Sequence, residues 1–140
     1  MSTDLQPLSL AVKRLQYKHH RSLDSKLIDI GTTLAQWDAL RAIGRHPESS
    51  SHKLAGLTFQ TDQSFGALAG RMVERGLIRR VAGEGRAIRH HLTPAGEAML
   101  SAGHVVVNAV IAESFAPLSK AERRQLEALL NRLLDHQSDA

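Results

Sequence analysis

The chain contains no cysteine, which excludes disulfides, thiolate zinc sites, iron–sulfur clusters and thiol redox switches. Aromatics are scarce at 4%, with one Trp, one Tyr and three Phe. The core is therefore expected to consist of Leu, Val, Ile and Ala, a mix that suits helices. No stretch approaches the roughly 18 consecutive apolar residues of a membrane span. The opening Met-Ser-Thr-Asp-Leu-Gln-Pro lacks the basic region and apolar run of a signal peptide. A cytoplasmic protein with no membrane partner is the expectation. Against these absences, 140 residues at 42% hydrophobic and 23% charged have the make-up of one globular domain.

The net charge is only +4, but it is not spread evenly. Six of the 18 basic side chains and two of the 14 acidic ones lie between Arg71 and His91, so this segment alone carries the excess and the rest of the chain balances. Its cations are Arg71, Arg75, Arg79, Arg80, Arg86 and Arg89. The planar fork of arginine suits phosphate oxygens better than a point charge does. On charge alone, a solvated basic face and a nucleic-acid site remain equally open.

Helical periodicity dominates the chain. Leu8, Val12, Leu15, His19, Leu23 and Leu27 fall at steps of three and four, one stripe of a long first helix ending near Gly31. Thr33 and Gln36 are spaced as a capping box opening a helix through Trp37, Leu40 and Ile43. His46-Pro47 and Ser49–Ser51 mark a turn before a short helix to Leu57, and a second helix is expected from about Thr61 to Arg75, with Phe65, Leu68 and Met72 on one face. Gly76 stands where a C-terminal cap belongs.

Beyond Gly76 the period shortens. Leu77–Val81 and Ile88–Leu92 predict two strands joined by a glycine-rich tip, with His90 facing inward beside Ile88 and Leu92. Thr93-Pro94 restarts a helix to about Phe115. Ser119 and Glu122 form another capping box, ahead of an apolar stripe at Leu126, Leu129, Leu130, Leu133 and Leu134. The fold class is mainly α with a small β-hairpin wing, a winged helix-turn-helix whose second helix can enter the major groove.

Leu54-Ala55, Leu68, Arg71, Glu74 and the run Arg75-Gly76-Leu77-Ile78-Arg79-Arg80 are similar, without gaps, to the helix-turn-helix of the multiple-antibiotic-resistance regulator (MarR) family. Glu84-Gly85-Arg86-Ala87 resembles that family's wing, and Leu92-Thr93-Pro94-Ala95-Gly96 its following junction. Leu34, Gln36, Trp37 and Leu40 fit the entry to its second helix. The resemblance covers about residues 8 to 135. It implies a single domain over 1–140, with a DNA-binding region at 33–93 and dimerisation helices at 5–30 and 94–136. It also implies a homodimeric transcription factor, usually a repressor, often released from DNA by a small-molecule effector.

On this mapping the DNA-binding residues are Gln60, Thr61, Gln63, Ser64 and Arg71 of the recognition helix, with Arg79, Arg80, Glu84, Arg86 and Arg89 of the wing. Gln63 suits adenine N6 and N7. Arg71 either meets DNA or pairs with Glu74. Gly66 and Ala67 replace the hydroxyl and basic residues frequent in the family, and Asp62 brings an anion near DNA unless it serves the helix dipole. Gly66 and Gly70 either leave binding to the wing and to DNA shape or permit close helix packing. Arg86 is the choice for minor-groove or phosphate contact, and Glu84 for stiffening the tip. Arg79, Arg80 and Arg89 are candidates for the DNA backbone on alternating faces.

Eight histidines invite a metal hypothesis. His19-His20 and His90-His91 are adjacent and point apart, so neither pair chelates alone. No metal or other cofactor is expected, although a site assembled across a dimer stays open. The resemblance implies a ligand pocket lined by the first, second and fifth helices, where Tyr17, His20, Trp37 and Arg41 are candidates; Trp37 can equally be core. A protein-binding winged helix without specific DNA binding is the alternative. An enzyme is not expected, since no nucleophile elbow, phosphate loop or paired-carboxylate site is present.

Overall fold

A computed structural model describes residues 4–83, 85 and 87–136. The elements run α1 (Gln6–Asp29), α2 (Leu34–Arg45), α3 (Ser51–Leu57), α4 (Asp62–Glu74), β1 (Ile78–Ala82), β2 (Ile88–Leu92), α5 (Pro94–Phe115) and α6 (Lys120–Asp135). The expected order of helices and hairpin is present, with β1 beginning one residue later than the sequence suggests and α4 beginning after Thr61.

Side chains set the helix starts. Thr33, Ser50, Thr61, Thr93 and Ser119 are extended, and each hydroxyl accepts from a backbone N–H in the first turn. Ser119 and Glu122 complete the expected capping box. The bonds from the Ser119 backbone and hydroxyl hold the Glu122 carboxyl below its usual value. Thr33 forms only half of one. The Gln36 amide oxygen turns inward, accepting from Thr32 Oγ1 at 3.2 Å and from the Arg75 guanidinium. Gly31 and Gly76 reverse the chain out of α1 and α4 at φ of +94° and +74°.

Two hydrophobic clusters organise the chain. The larger joins Leu40 and Ile43 of α2, Leu54 of α3, Phe65, Leu68 and Met72 of α4, and Ile78 of β1. The smaller joins Leu27, Leu34, Trp37 and Val107. Leu100 of α5 packs against both. Two glycines allow α5 this approach. A Cβ on Gly96 would lie 2.0 Å from the Leu77 carbonyl oxygen, and one on Gly103 would lie 2.1 Å from the Trp37 ring. The indole N–H then donates to the Leu100 carbonyl at 3.2 Å.

The remaining apolar stripes find no cover among the described residues. Leu8, Val12 and Leu15 of α1 and Leu129, Leu130, Leu133 and Leu134 of α6 are exposed. By length and composition α5 could cross a membrane, yet Gly96, Gly103 and Val107 are buried against the rest of the fold.

Gly96→Ala and Gly103→Ala are each expected to destabilise the fold by about 1–3 kcal/mol or more, since backbone or a buried indole must move. Gly70→Ala, where a Cβ meets open space, should instead stabilise by about 0.5–1 kcal/mol. Urea denaturation of the three variants measures the contrast.

Candidate nucleic-acid interface

Burial of Phe65, Leu68, Ala69 and Met72 turns the opposite face of α4 outward. At helical spacing that face presents Gln63, Gly66, Ala67, Gly70 and Arg71. A Cβ on Gly66 or Gly70 would meet nothing within 4 Å. The glycines therefore do not serve close helix packing; they leave the outer face of α4 low. Arg71 is exposed and forms no ion pair with Glu74 among the described residues.

A short chain of hydrogen bonds organises the start of α4. Thr61 Oγ1 accepts from the Ser64 N–H at 3.0 Å, and the Ser64 hydroxyl donates to Gln60 Oε1 at 3.3 Å. Gln60 itself lies in the turn ahead of the helix cap. Asp62 occupies the first turn, where its charge suits the helix dipole, and it also meets His52 Nδ1 of α3 at 3.0 Å. The two helices of the motif are thus tied across their open end. Between them Phe59 takes a left-handed φ of +58° with 97% of its surface exposed.

The wing pairs Ile78 with Leu92, Arg80 with His90 and Ala82 with Ile88. Paired residues share a face, so Arg80 and His90 lie on one side of the ribbon while Arg79, Val81, Arg89 and His91 lie on the other. Arg80 Nη2 donates to the Gly66 carbonyl of α4 at 3.0 Å. Arg89 Nη1 donates to the Glu48 carbonyl at 2.8 Å, and His91 Nε2 lies 3.4 Å from the Glu48 carboxylate. Arg79 is exposed on β1. Ile88 does not join His90 inside, because it lies beside the tip and is 50% exposed. The Gly83 N–H donates to the Ala87 carbonyl at 2.7 Å, drawing the two ends of the tip together. Glu84 and Arg86 lie outside the described residues.

His90 is fully buried where the wing meets the helix-turn-helix. Its Nδ1–H donates to the Ser49 carbonyl at 2.9 Å, Nε2 lies 3.3 Å from Ser51 Oγ, and the ring meets Phe65 edge-on with centroids 6.0 Å apart. Burial pushes the His90 pKa below its usual 6.5; the bond to Ser49 opposes this, while Arg80 and His91 add to it.

One connection was not visible as a site in the sequence. The Arg75 guanidinium, at the end of α4, donates to Gln36 Oε1 and to the Gly31 carbonyl, both at 2.5 Å. It clasps the α1–α2 corner to the recognition helix. Only the match of Arg75 to the family motif pointed to it, since its partners lie 39 and 44 residues away.

The four ligand candidates occupy different surroundings. Trp37 is 2% exposed, wedged between Gly103 and the Arg41 guanidinium, which sits 5.3 Å from the ring centroid. Arg41 also lines a cavity of about 210 Å³ with Asp38, Arg45, His46 and Phe59. His20 is exposed on α1 and interacts electrostatically with Asp38, whose carboxyl is raised by burial against the opposing pull of Arg41 and His20. Tyr17 is 59% exposed under the Arg21 guanidinium. Of the four, only Arg41 lines that cavity.

A capped recognition helix, a short preceding helix and a two-stranded arginine-bearing wing define a winged helix-turn-helix protein. The sequence profile of the MarR family matches residues 30–87. The Mycobacterium tuberculosis HTH-type transcriptional repressor Rv2887 is 26% identical over 129 residues, covering 91% of this chain and 93% of that protein. A probable transcriptional regulator from Pseudomonas aeruginosa is 30% identical, with a TM-score of 0.81 and coverage of 91% and 97% of the two chains. A mutant of Escherichia coli MarR complexed with operator DNA shares the fold at a TM-score of 0.86 and 23% identity, over 94% of this chain and 99% of that one. The chain belongs to the MarR family of transcriptional regulators.

The buried imidazole has a measurable signature. Neutral His90 is favoured in the folded state, whereas the unfolded chain takes up a proton near 6.5. Its contribution to stability is complete above that pH and is lost as the pH falls below it. The melting temperature should drop between pH 7.5 and about 5, and His90→Gln should flatten that drop relative to the parent protein.

Proposed function

We propose that the protein is a homodimeric repressor that binds a pseudo-palindromic operator in double-stranded DNA and is released by a small aromatic acid. The observation that carries this reading is the uncovered outer face of α4 with the arginine-bearing wing packed directly beside it. Residues 33–93 form the DNA-binding region. The segments 5–30 and 94–136 bring the exposed leucines of α1 and α6 against a second copy, within one domain spanning 1–140. As a DNA-binding regulator it works in the cytoplasm.

The start of α4 docks in the major groove, with Gln60, Thr61 and Ser64 at its mouth and Gln63 on an adenine edge. Arg71, Arg79 and Arg89 meet the DNA backbone. Arg86, assigned from sequence alone, contacts phosphate or the minor groove beside Glu84. Support for the effector class comes from Rv2887, solved in complexes with p-aminosalicylic acid and with salicylic acid. Tyr17, His20, Trp37 and Arg41 are the candidate ligand contacts.

Fluorescence anisotropy on the DNA upstream of the protein's own gene tests the DNA-binding reading. Binding should resist competitor DNA and fall steeply with added salt as phosphate counterions return. Loss of all binding to excess competitor would overturn it. Gln63→Ala should relax preference at one base position by about 1–3 kcal/mol, while Arg86→Ala should weaken binding to every sequence. Salicylic acid should raise the melting temperature and release the duplex; neither effect should survive Arg41→Ala if the effector sits where proposed.

A further inference from the structure

We propose that Arg80, although carried by the wing, works in the major groove beside the recognition helix and reads a guanine edge there. This deepens the DNA-binding reading and rests on it. The register places Arg80 on the ribbon face shared with buried His90. His90 is in turn fixed by Ser49, Ser51 and Phe65. The backbone that carries Arg80 is therefore held at the most buried point of the wing. From it the exposed Arg80 side chain reaches α4 and donates through Nη2 to the Gly66 carbonyl at 3.0 Å.

The part of α4 that Arg80 reaches has no long side chain of its own. Gly66 and Gly70 carry none, and between them Ala67 carries a methyl group. Gln63 and Arg71 flank this gap one turn to either side. A bare stretch lets the helix backbone approach the base edges more closely than a covered one. The same stretch leaves hydrogen-bonding groups of the bases without a partner from α4. Arg80 supplies the missing donor. One of its N–H groups is engaged by Gly66, and the remaining donors of the fork can serve guanine O6 and N7 in parallel.

The bond to Gly66 also fixes a long side chain before DNA arrives, which reduces the ordering cost of binding. Arg89 is placed differently. It lies on the opposite face and donates to the Glu48 carbonyl in the α2–α3 turn, away from the bare stretch. Of these two, Arg80 is thus the one suited to base reading.

The test is selection of bound duplexes from a random pool by the full-length protein, followed by substitution of each base pair in the selected site. Arg80→Ala and Arg80→Lys are compared with the parent, with circular dichroism melts confirming that each variant is folded. Both variants should lose discrimination at one G·C pair in each half-site by about 5- to 150-fold, the range of a bidentate base contact. Arg80→Lys keeps the charge but not the fork, so it should retain non-specific affinity and the salt dependence of the parent. A lysine variant with full discrimination would overturn the assignment. So would an alanine variant that weakens all duplexes equally and lowers the salt slope by about one, the mark of a phosphate contact. Unchanged binding by both variants would make the Gly66 bond purely structural. A parent protein that enriches no duplex would instead refute the DNA-binding reading itself.

Discussion

The crossing of α2 and α5 at Trp37 and Gly103 is the constraint on which the rest of the molecule depends. An indole is too large to sit between two helices unless one of them offers no side chain at the point of contact. Gly103 meets that condition, and the Leu100 carbonyl takes the indole N–H. Because Leu100 packs against both hydrophobic clusters, this crossing fixes α5 against the DNA-binding core. At the start of the same helix, Gly96 rests on the Leu77 carbonyl, and the Thr93 hydroxyl donates to the Gly76 carbonyl at 2.6 Å. The helix leaving the wing is thus bound to the end of the recognition helix within a single turn.

From this frame the arginine cluster divides into two kinds of group. Formal charge makes all six residues equivalent, but the surroundings of the described ones differ. Arg75 is committed to the α1–α2 corner, while Arg89 gives one nitrogen of its fork to the α2–α3 turn and keeps the others for the proposed DNA contact. Arg80 leans on the recognition helix itself. A positive segment can therefore serve as internal scaffolding and as an outward field at once. Counting charges would not separate these roles, because a carbonyl partner leaves the net charge unchanged.

The parts of the fold that were legible in the sequence are those decided within a few residues. Thr93, Ser119 and Gly76 were recognisable because caps and chain reversals depend on local hydrogen bonds and φ, whereas Thr61, read as the first helical residue, is the cap itself. The start of α2 was read incompletely for the opposite reason. Gln36 abandons the local capping bond for Thr32 and for Arg75, which only the folded chain brings close. Alternation placed His90 inside correctly, but it also placed Ile88 inside, because alternation cannot register where a short hairpin runs past its supporting helices. The family motif marked Arg71, Arg79 and Arg80 as site residues. The partners that distinguish Arg80 from Arg89 lie 14 and 41 residues away, beyond the range of any local pattern.

The uncovered leucines of α1 and α6 carry a consequence for how such a regulator behaves at different copy numbers. In the proposed dimer, burying these side chains would make folding and association a single equilibrium that shifts with protein concentration. Where dimers are scarce, their number rises with the square of the monomer concentration, and occupancy of a two-armed operator rises with it. A modest change in synthesis rate would then move a promoter across its threshold more sharply than a preassembled repressor allows.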